Sequence, residues 1–340
     1  DMYKLEQQQK RIEYIDIAKG LAIFCVLVGH IVDSDTLMKT ILYAFHMPVF
    51  FILSGMVAHV QPQYTLTNCK SIVKKRATTL MIPYVLWGCI YAAFSFHNLL
   101  LIAWGTRETL IRASSLSSLW FLPVMFVAYI ILEGVFLHCN QKYYWWKIVL
   151  AGVACFLIGS FLPHWCKYGD PWGSDIAFVA ASLMILGYEF RPLFDGLQKT
   201  HIKIICLVAL SGMIMLGIGV RFNSTSVGYV LMANAIYGNP LLFVVGAIGG
   251  SLVVIALSTL FSRLRIKKKA IVFIGQNTLG IFLVHKPIVE AGRMIASKLK
   301  MNYNTPMLFM VISLVGILVS CIVVYALSFF APVLVGKRQR

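Results

Sequence analysis

Residues 16–30, DIAKGLAIFCVLVGH, carry two charges, Asp16 and Lys19, at one end of an apolar run and an imidazole, His30, at the other. The run is too long for the hydrophobic part of a cleaved signal, and the stretch before it, DMYKLEQQQKRIEY, is polar. Its length is that of a bilayer crossing, which takes about 20 residues. Comparable runs recur throughout the 340 residues. The chain is 59% hydrophobic and 13% charged, with a mean hydropathy of +0.80, whereas soluble domains carry about 25% charged residues. An ordinary soluble fold is excluded, and the expectation is an all-α polytopic membrane protein of about ten transmembrane helices.

Those ten helices are expected over 12–33, 38–60, 77–97, 118–139, 147–163, 174–190, 202–220, 240–262, 270–290 and 305–334. With the N-terminus inside, 21 of the 30 Lys and Arg residues fall in inner segments, the bias that cytoplasmic loops show. Both termini are then cytoplasmic, which agrees with an even number of spans. Residues 1–340 read as a single transmembrane domain, with 1–11 as its cytoplasmic N-terminal segment and no stretch suited to a soluble domain. The inner loops account for most of the net charge of +17, so the expected surroundings are a lipid bilayer and no nucleic acid is expected. A homo-oligomer is left open. The eight cysteines are scattered without a CxxC, which argues against a disulfide framework or a zinc site. Three outer loops fall at about 98–117, 164–173 and 221–239, and the last mixes apolar and turn residues as an interfacial or re-entrant segment does. No internal repeat is visible, which weighs against a transporter built from two related halves.

Ionisable groups are expensive in hydrocarbon, so each one there is a functional candidate. Lys19 and His30 are eleven residues apart. On a helix that leaves them within about 20° of one face and about 16 Å apart along the axis. Asp33, three residues beyond His30, is near enough to accept from its ring N–H. The segment FHMPVFFILSG, residues 45–55, puts His46 at a similar depth, with Pro48 to kink the helix and Ser54–Gly55 to allow close packing. In NTLGIFLVHKPI, residues 277–288, His285 lies at that depth too. Singly, each histidine reads most simply as an interfacial side chain bonded to a backbone carbonyl; three from three helices converge on one level. Three imidazoles suit a metal, but no HxxxH or HExxH pair sets two ligands on one helix face, and no metal is expected. Lys19 reads equally well as a snorkelling anchor, and Glu133 and Glu189 as ion-pair partners. Arg107 and Arg112, in the first outer loop, read as solvated charges, with contact to a substrate as the alternative.

Taken together, DIAKGLAIFCVLVGH, FHMPVFFILSG, SLWFLPVMF (residues 118–126) and NTLGIFLVHKPI resemble the integral-membrane acyltransferase family three. The branch they resemble is the one with fucose-4-O-acetylase-like proteins, and the likeness runs from residue 11 to the tenth helix. The resemblance implies a ten-helix enzyme of a bacterial-type plasma membrane. Such an enzyme moves an acyl group, usually acetyl, from cytoplasmic acyl-CoA to a hydroxyl of an extracytoplasmic glycan or related cell-surface acceptor. The family pattern sets a basic residue, ten intervening residues and a histidine in the first helix; here these are Lys19 and His30, with Lys where Arg is more usual. Lysine lacks the bidentate geometry of arginine and suits a point charge near phosphate.

The same resemblance implies roles. His30 is the base that deprotonates the acceptor hydroxyl, oriented by Asp33. His46 and His285, with Ser54 or the Trp120 N–H, stabilise the oxyanion or position the acceptor, which Arg107 and Arg112 also contact if they reach it. Lys19, with Arg11, Lys74, Lys75 and Arg76, holds the phosphates of the acyl-CoA donor. Two other readings stay open at this point: a transporter or flippase of a glycolipid or small metabolite, and a non-catalytic polysaccharide-assembly partner.

Overall fold

Most of these segments are apolar all round rather than on one face, so the helices they form bury against one another and against hydrocarbon. The computed structural model describes residues 12–58, 64–92, 96–107 (backbone alone at 96–98), 110, 116–139, 145–166 and 169–337. Among the described residues there are fourteen α-helices and no strand. The first half comprises α1 (Glu13–Ile31), α2 (Leu37–Phe45), α3 (Pro48–Met56), α4 (Leu66–Arg76), α5 (Ile82–Tyr91), α6 (Phe96–Trp104) and α7 (Phe121–Cys139). The second comprises α8 (Trp145–Trp165), α9 (Ser174–Leu197), α10 (Ile202–Phe222), α11 (Pro240–Arg263), α12 (Lys269–Gln276), α13 (Thr278–Lys298) and α14 (Pro306–Phe330).

Eight helical stretches among the described residues are long and apolar enough to cross a membrane: α1, α2 with α3, α7, α8, α9, α10, α11 and α14. The pair α12–α13 makes a ninth if counted as one span, although it bends by 87° at Asn277. The third span expected over 77–97 takes a different form. A polar helix, α4, runs through a π-turn at Ala77–Met81 into the ten-residue α5, so among the described residues the apolar part alone is too short to count as a span. The loop expected over 98–117 holds α6, and the expected helix 270–290 is the bent pair.

At the centre lies α1, whose Ile17, Ala18, Ala22, Ile23 and Leu27 are fully buried. It packs against α11, α12, α13 and α14. Contact with α12 is backbone to backbone: a Cβ added to Gly275 would lie 1.8 Å from the Asp16 carbonyl oxygen, so only glycine fits. The crossing of α3 and α9 is equally tight, since a Cβ on Gly187 would meet the Ile52 carbonyl oxygen at 2.0 Å. Helices α8, α10 and α14 stand at the periphery, with exposed Leu150, Leu207 and Leu318 that suit a lipid-facing surface. Central α1 is thereby shielded along its length, with Lys19 near one end and His30 at the other.

Candidate active site

Two of the three histidines are held by the same local device, His-x-Pro. Proline lacks an N–H, so it cannot serve the carbonyl four residues before it. In His46-Met47-Pro48 the chain leaves α2 at His46 and restarts with Pro48 as the first residue of α3. The Leu42 carbonyl accepts from the His46 backbone N–H (2.9 Å) and from its Nδ1 (2.8 Å). In His285-Lys286-Pro287, His285 Nδ1 donates to the Phe282 carbonyl (2.6 Å), and the carbonyl of Leu283, which Pro287 cannot serve, accepts from the Tyr91 hydroxyl (2.6 Å). A carbonyl only accepts, so the proton of each neutral ring sits on Nδ1 and Nε2 carries the lone pair. His285 is fully buried and its Nε2 has no hydrogen-bond partner among the described residues.

The His30 ring lies 5.0 Å from that of His285, centroid to centroid. His30 and His46 line a cavity of about 160 Å³ together with Trp120, Phe282, Ser117 and Ser118. Its remaining wall is residues 231–234, the tip of a small hairpin in the 223–239 segment that closes with the reciprocal Leu231–Ile236 backbone pair. The structure therefore brings the three histidines together from α1, the α2–α3 break and α13.

Two further cavities lie toward the Lys19 end. One, of about 240 Å³, is lined by Lys19, Ser54, Arg76, Thr79, Phe121 and Phe282 among others. The other, of about 350 Å³, is lined by Lys19, Asp16, Arg191 and Gln276. Lys19 belongs to both, and Phe282 belongs to the middle cavity and to the histidine cavity. The three run in series along α1. In the middle one the Arg76 guanidinium lies over the Tyr129 ring at 4.1 Å, and its Nε is buried with no hydrogen-bond partner among the described residues. Arg76 immediately precedes the π-turn, an element often found at functional sites.

Several expectations change. Helix α1 ends at Ile31, and Asp33 turns away from His30 to accept from Arg293 Nη2 (2.9 Å), the Tyr303 hydroxyl (3.2 Å) and Asn304 Nδ2 (2.7 Å). Ser54 lines the middle cavity and not the histidine cavity. Lys74 and Lys75 are exposed on α4 and line none of these cavities. Arg107 is no solvated loop charge: it is buried, ion-paired with Asp175 of α9, and donates to the Pro163 (3.3 Å) and Cys166 (2.9 Å) carbonyls, a structural clamp. Arg11 and Arg112 lie outside the described residues. Glu133 is buried and accepts from the Tyr64 hydroxyl. His46 and His285, with Nδ1 engaged, present proton acceptors in their neutral form and not the donors an oxyanion needs.

Sequence reasoning missed Lys39. It is only 9% exposed, donates from Nζ to the Gly29 carbonyl (2.6 Å), and lies 4.4 Å from the Tyr43 ring centroid. That carbonyl is one that the end of α1 leaves unserved, because the Asp33 N–H goes to Asn304. The rule that an ionisable residue in an apolar helix is a functional candidate, applied to LMKTILYAF, finds it. The hairpin tip carries no such signal, since Met232, Ala233 and Asn234 are ordinary loop residues in sequence.

Neither the curated proteins nor the solved structures yield a match to this chain. A family model described as an acyltransferase domain matches residues 12–326, from the start of α1 into α14, and so takes in all three cavities and the three histidines. The chain belongs to acyltransferase family 3, as a multi-pass membrane acyltransferase.

Proposed function

We propose that the protein moves an acyl group, acetyl being the expected one, from acyl-CoA to a hydroxyl of an extracytoplasmic glycan or related cell-surface acceptor. The observation that carries this reading is the series of cavities along α1, with basic Lys19 and Arg76 at one end and imidazoles at the other. From phosphorus to sulfur a phosphopantetheine arm has about thirteen bonds, each advancing about 1.2 Å when extended, or about 16 Å in all. The Lys19–His30 separation along a helix is also about 16 Å. A donor whose phosphates sit at Lys19 and Arg76 therefore delivers its thioester to His30. On this reading the Lys19 end and both termini face the cytoplasm of a bacterial-type plasma membrane, and the chain is one transmembrane domain of the fucose-4-O-acetylase-like branch.

In the reaction His30 takes the proton of the acceptor hydroxyl as its oxygen attacks the thioester carbonyl. The carbon–sulfur bond breaks, the ester forms, and the proton leaves with the coenzyme A thiol. His285, with its unpartnered Nε2, takes the orienting role that Asp33 is too far engaged to fill, receiving the second ring N–H of His30 once the proton is transferred. The Trp120 N–H is the oxyanion donor of this scheme.

The test is purified protein in nanodiscs with acetyl-CoA, followed for free thiol and for acetyl-CoA binding, with His30→Ala alongside. Thiol release that depends on His30 is expected. Wild-type protein that neither binds acetyl-CoA nor releases thiol refutes the reading.

A further inference from the structure

The hairpin over the histidine cavity is built with more care than a connecting loop requires. Asn223 ties its two stems, accepting from the Asn239 N–H (2.8 Å) and donating to the Tyr237 carbonyl (2.8 Å). Leu231 and Ile236 exchange backbone hydrogen bonds of 2.9 and 3.0 Å, and the four residues between them form a 3-10 turn, Met232–Asn234, closed by Ala235 in the left-handed region at φ +57°. A non-glycine residue is held there only where its surroundings over-determine the backbone, and such positions cluster at ligand sites. At the base, Tyr229 packs edge-on against Tyr43 with ring centroids 5.0 Å apart, and Tyr43 in turn lies 4.5 Å from the His46 ring. The tip is thus registered against the histidines.

Two residues that line the cavity have buried polar atoms with no hydrogen-bond partner among the described residues: Asn234 Oδ1 on the hairpin tip and Ser118 Oγ before α7. Leaving such a group unpaired costs about 1–3 kcal/mol, and native proteins rarely do so without a use for it. Two of them in one cavity, beside imidazoles that bear lone pairs, form a set suited to hydroxyl groups of a ligand. The volume of about 160 Å³ falls below the roughly 300–1,000 Å³ of sites that enclose drug-sized ligands, and suits a single ring held at the cavity. Trp120 supplies the flat apolar wall on which such a ring lies.

We infer that the hairpin tip is the acceptor subsite: Asn234 and Ser118 bind two hydroxyls of one pyranose-sized polyol ring and so select which neighbouring hydroxyl reaches His30. This rests on the proposed function and adds to it the residues that set acceptor specificity. They are positioning residues, since neither exchanges a proton with the reacting atoms.

The test uses the full chain in nanodiscs and calorimetric titration with the methyl glycosides of glucose, galactose, mannose and N-acetylglucosamine as probes, with coenzyme A as the control ligand. At least one glycoside is expected to bind. Asn234→Ala and Ser118→Ala should each weaken it about tenfold or more with coenzyme A affinity unchanged, as loss of one ligand hydrogen bond implies. Asn234→Asp, which keeps an acceptor oxygen in place, should stay within about threefold of wild type. Equal glycoside affinity in wild type and Asn234→Ala overturns the assignment, and so does a wild type that binds coenzyme A but none of the four glycosides. A wild type that fails with acetyl-CoA but binds a glycoside through Asn234 instead removes the proposed function and leaves the ring site standing.

Discussion

Replacing Arg76 with methionine separates a ligand-binding arginine from a structural one, because the two roles give opposite signs. The Arg76 Nε is buried and unpartnered, and the guanidinium rests 4.1 Å from the Tyr129 ring centroid in the cavity it shares with Lys19. In the ligand-free protein the orphaned N–H disfavours folding by about 1–3 kcal/mol, while the cation–π contact contributes about 0.5–2 kcal/mol the other way. Removing both at once changes the unfolding free energy by between about −1 and +2.5 kcal/mol, on balance upward. With a phosphate bound, a hydrogen bond to a charged partner contributes about 1.5–3 kcal/mol. At 1.4 kcal/mol per tenfold, Arg76→Met then weakens coenzyme A binding by about 10- to 150-fold. The assay is titration of coenzyme A, and of acetyl-pantetheine, which lacks the phosphates, into protein in nanodiscs, with a melting curve on the same samples. Coenzyme A affinity should fall, acetyl-pantetheine affinity should hold, and the apo melting temperature should hold or rise, where loss of a structural arginine would lower it. Coenzyme A binding within threefold of wild type, or an equal loss for acetyl-pantetheine, refutes the phosphate assignment.

Two further outcomes follow from the same geometry. Asp175→Asn removes one partner of a pair in which Asp175 is fully buried and the Arg107 side chain 10% exposed; breaking such a pair costs about 3–5 kcal/mol. The melting temperature should drop while the folded fraction keeps wild-type coenzyme A affinity, and an unchanged melting temperature would remove Arg107 from its structural role. A base acts through its neutral imidazole, so acidification should lower the rate as His30 takes up a proton, giving an acid limb in the pH profile. If residual activity in His30→Ala shows the same limb, the titrating base is another group, and His46 or His285 is the next to substitute.

The membrane class, most of the helix positions and the convergence of the three histidines are legible in the sequence, since each depends on composition or on the fixed rise and turn of a helix. What fails are the inferences that need to know where a helix stops. Asp33 is well placed for His30 only on a continuous helix, and α1 ends two residues before it, so the carboxylate goes to Arg293 and Asn304. The stretch expected over 77–97 takes a different form for a related reason: Arg76 and the π-turn carry the polar α4 straight into the apolar α5, and hydropathy does not register a change of helix type. Arg107 was legible as a charge but not as a buried one, because its partner Asp175 is 68 residues away in sequence. Asn234 and Ser118 belong to the same class, since only the fold puts a loop tip and the turn before α7 on one cavity.

The prolines bear on how two of the histidines are held: at Pro48 one helix gives way to the next, while α13 runs on through Pro287. In hydrocarbon a lost backbone hydrogen bond is expensive, so a proline two residues after an imidazole survives only where something else serves the exposed groups. At Pro287 the freed Leu283 carbonyl is taken by the Tyr91 hydroxyl, from a helix far away in sequence. At both sites a carbonyl of the preceding turn holds Nδ1, which fixes the tautomer and turns Nε2 away from its own helix. Each proline therefore accompanies a ring whose tautomer is set by a carbonyl of the preceding turn, and one of those rings, His46, lines a polar cavity inside an apolar bundle. His30 lies one residue before the end of a helix instead, with the Gly29 carbonyl beside it held by Lys39 and no backbone carbonyl on its own ring among the described residues. Of the three it is the ring whose tautomer no backbone carbonyl fixes among the described residues, which is what a base needs if it is to take a proton from an acceptor and give it up to a thiolate.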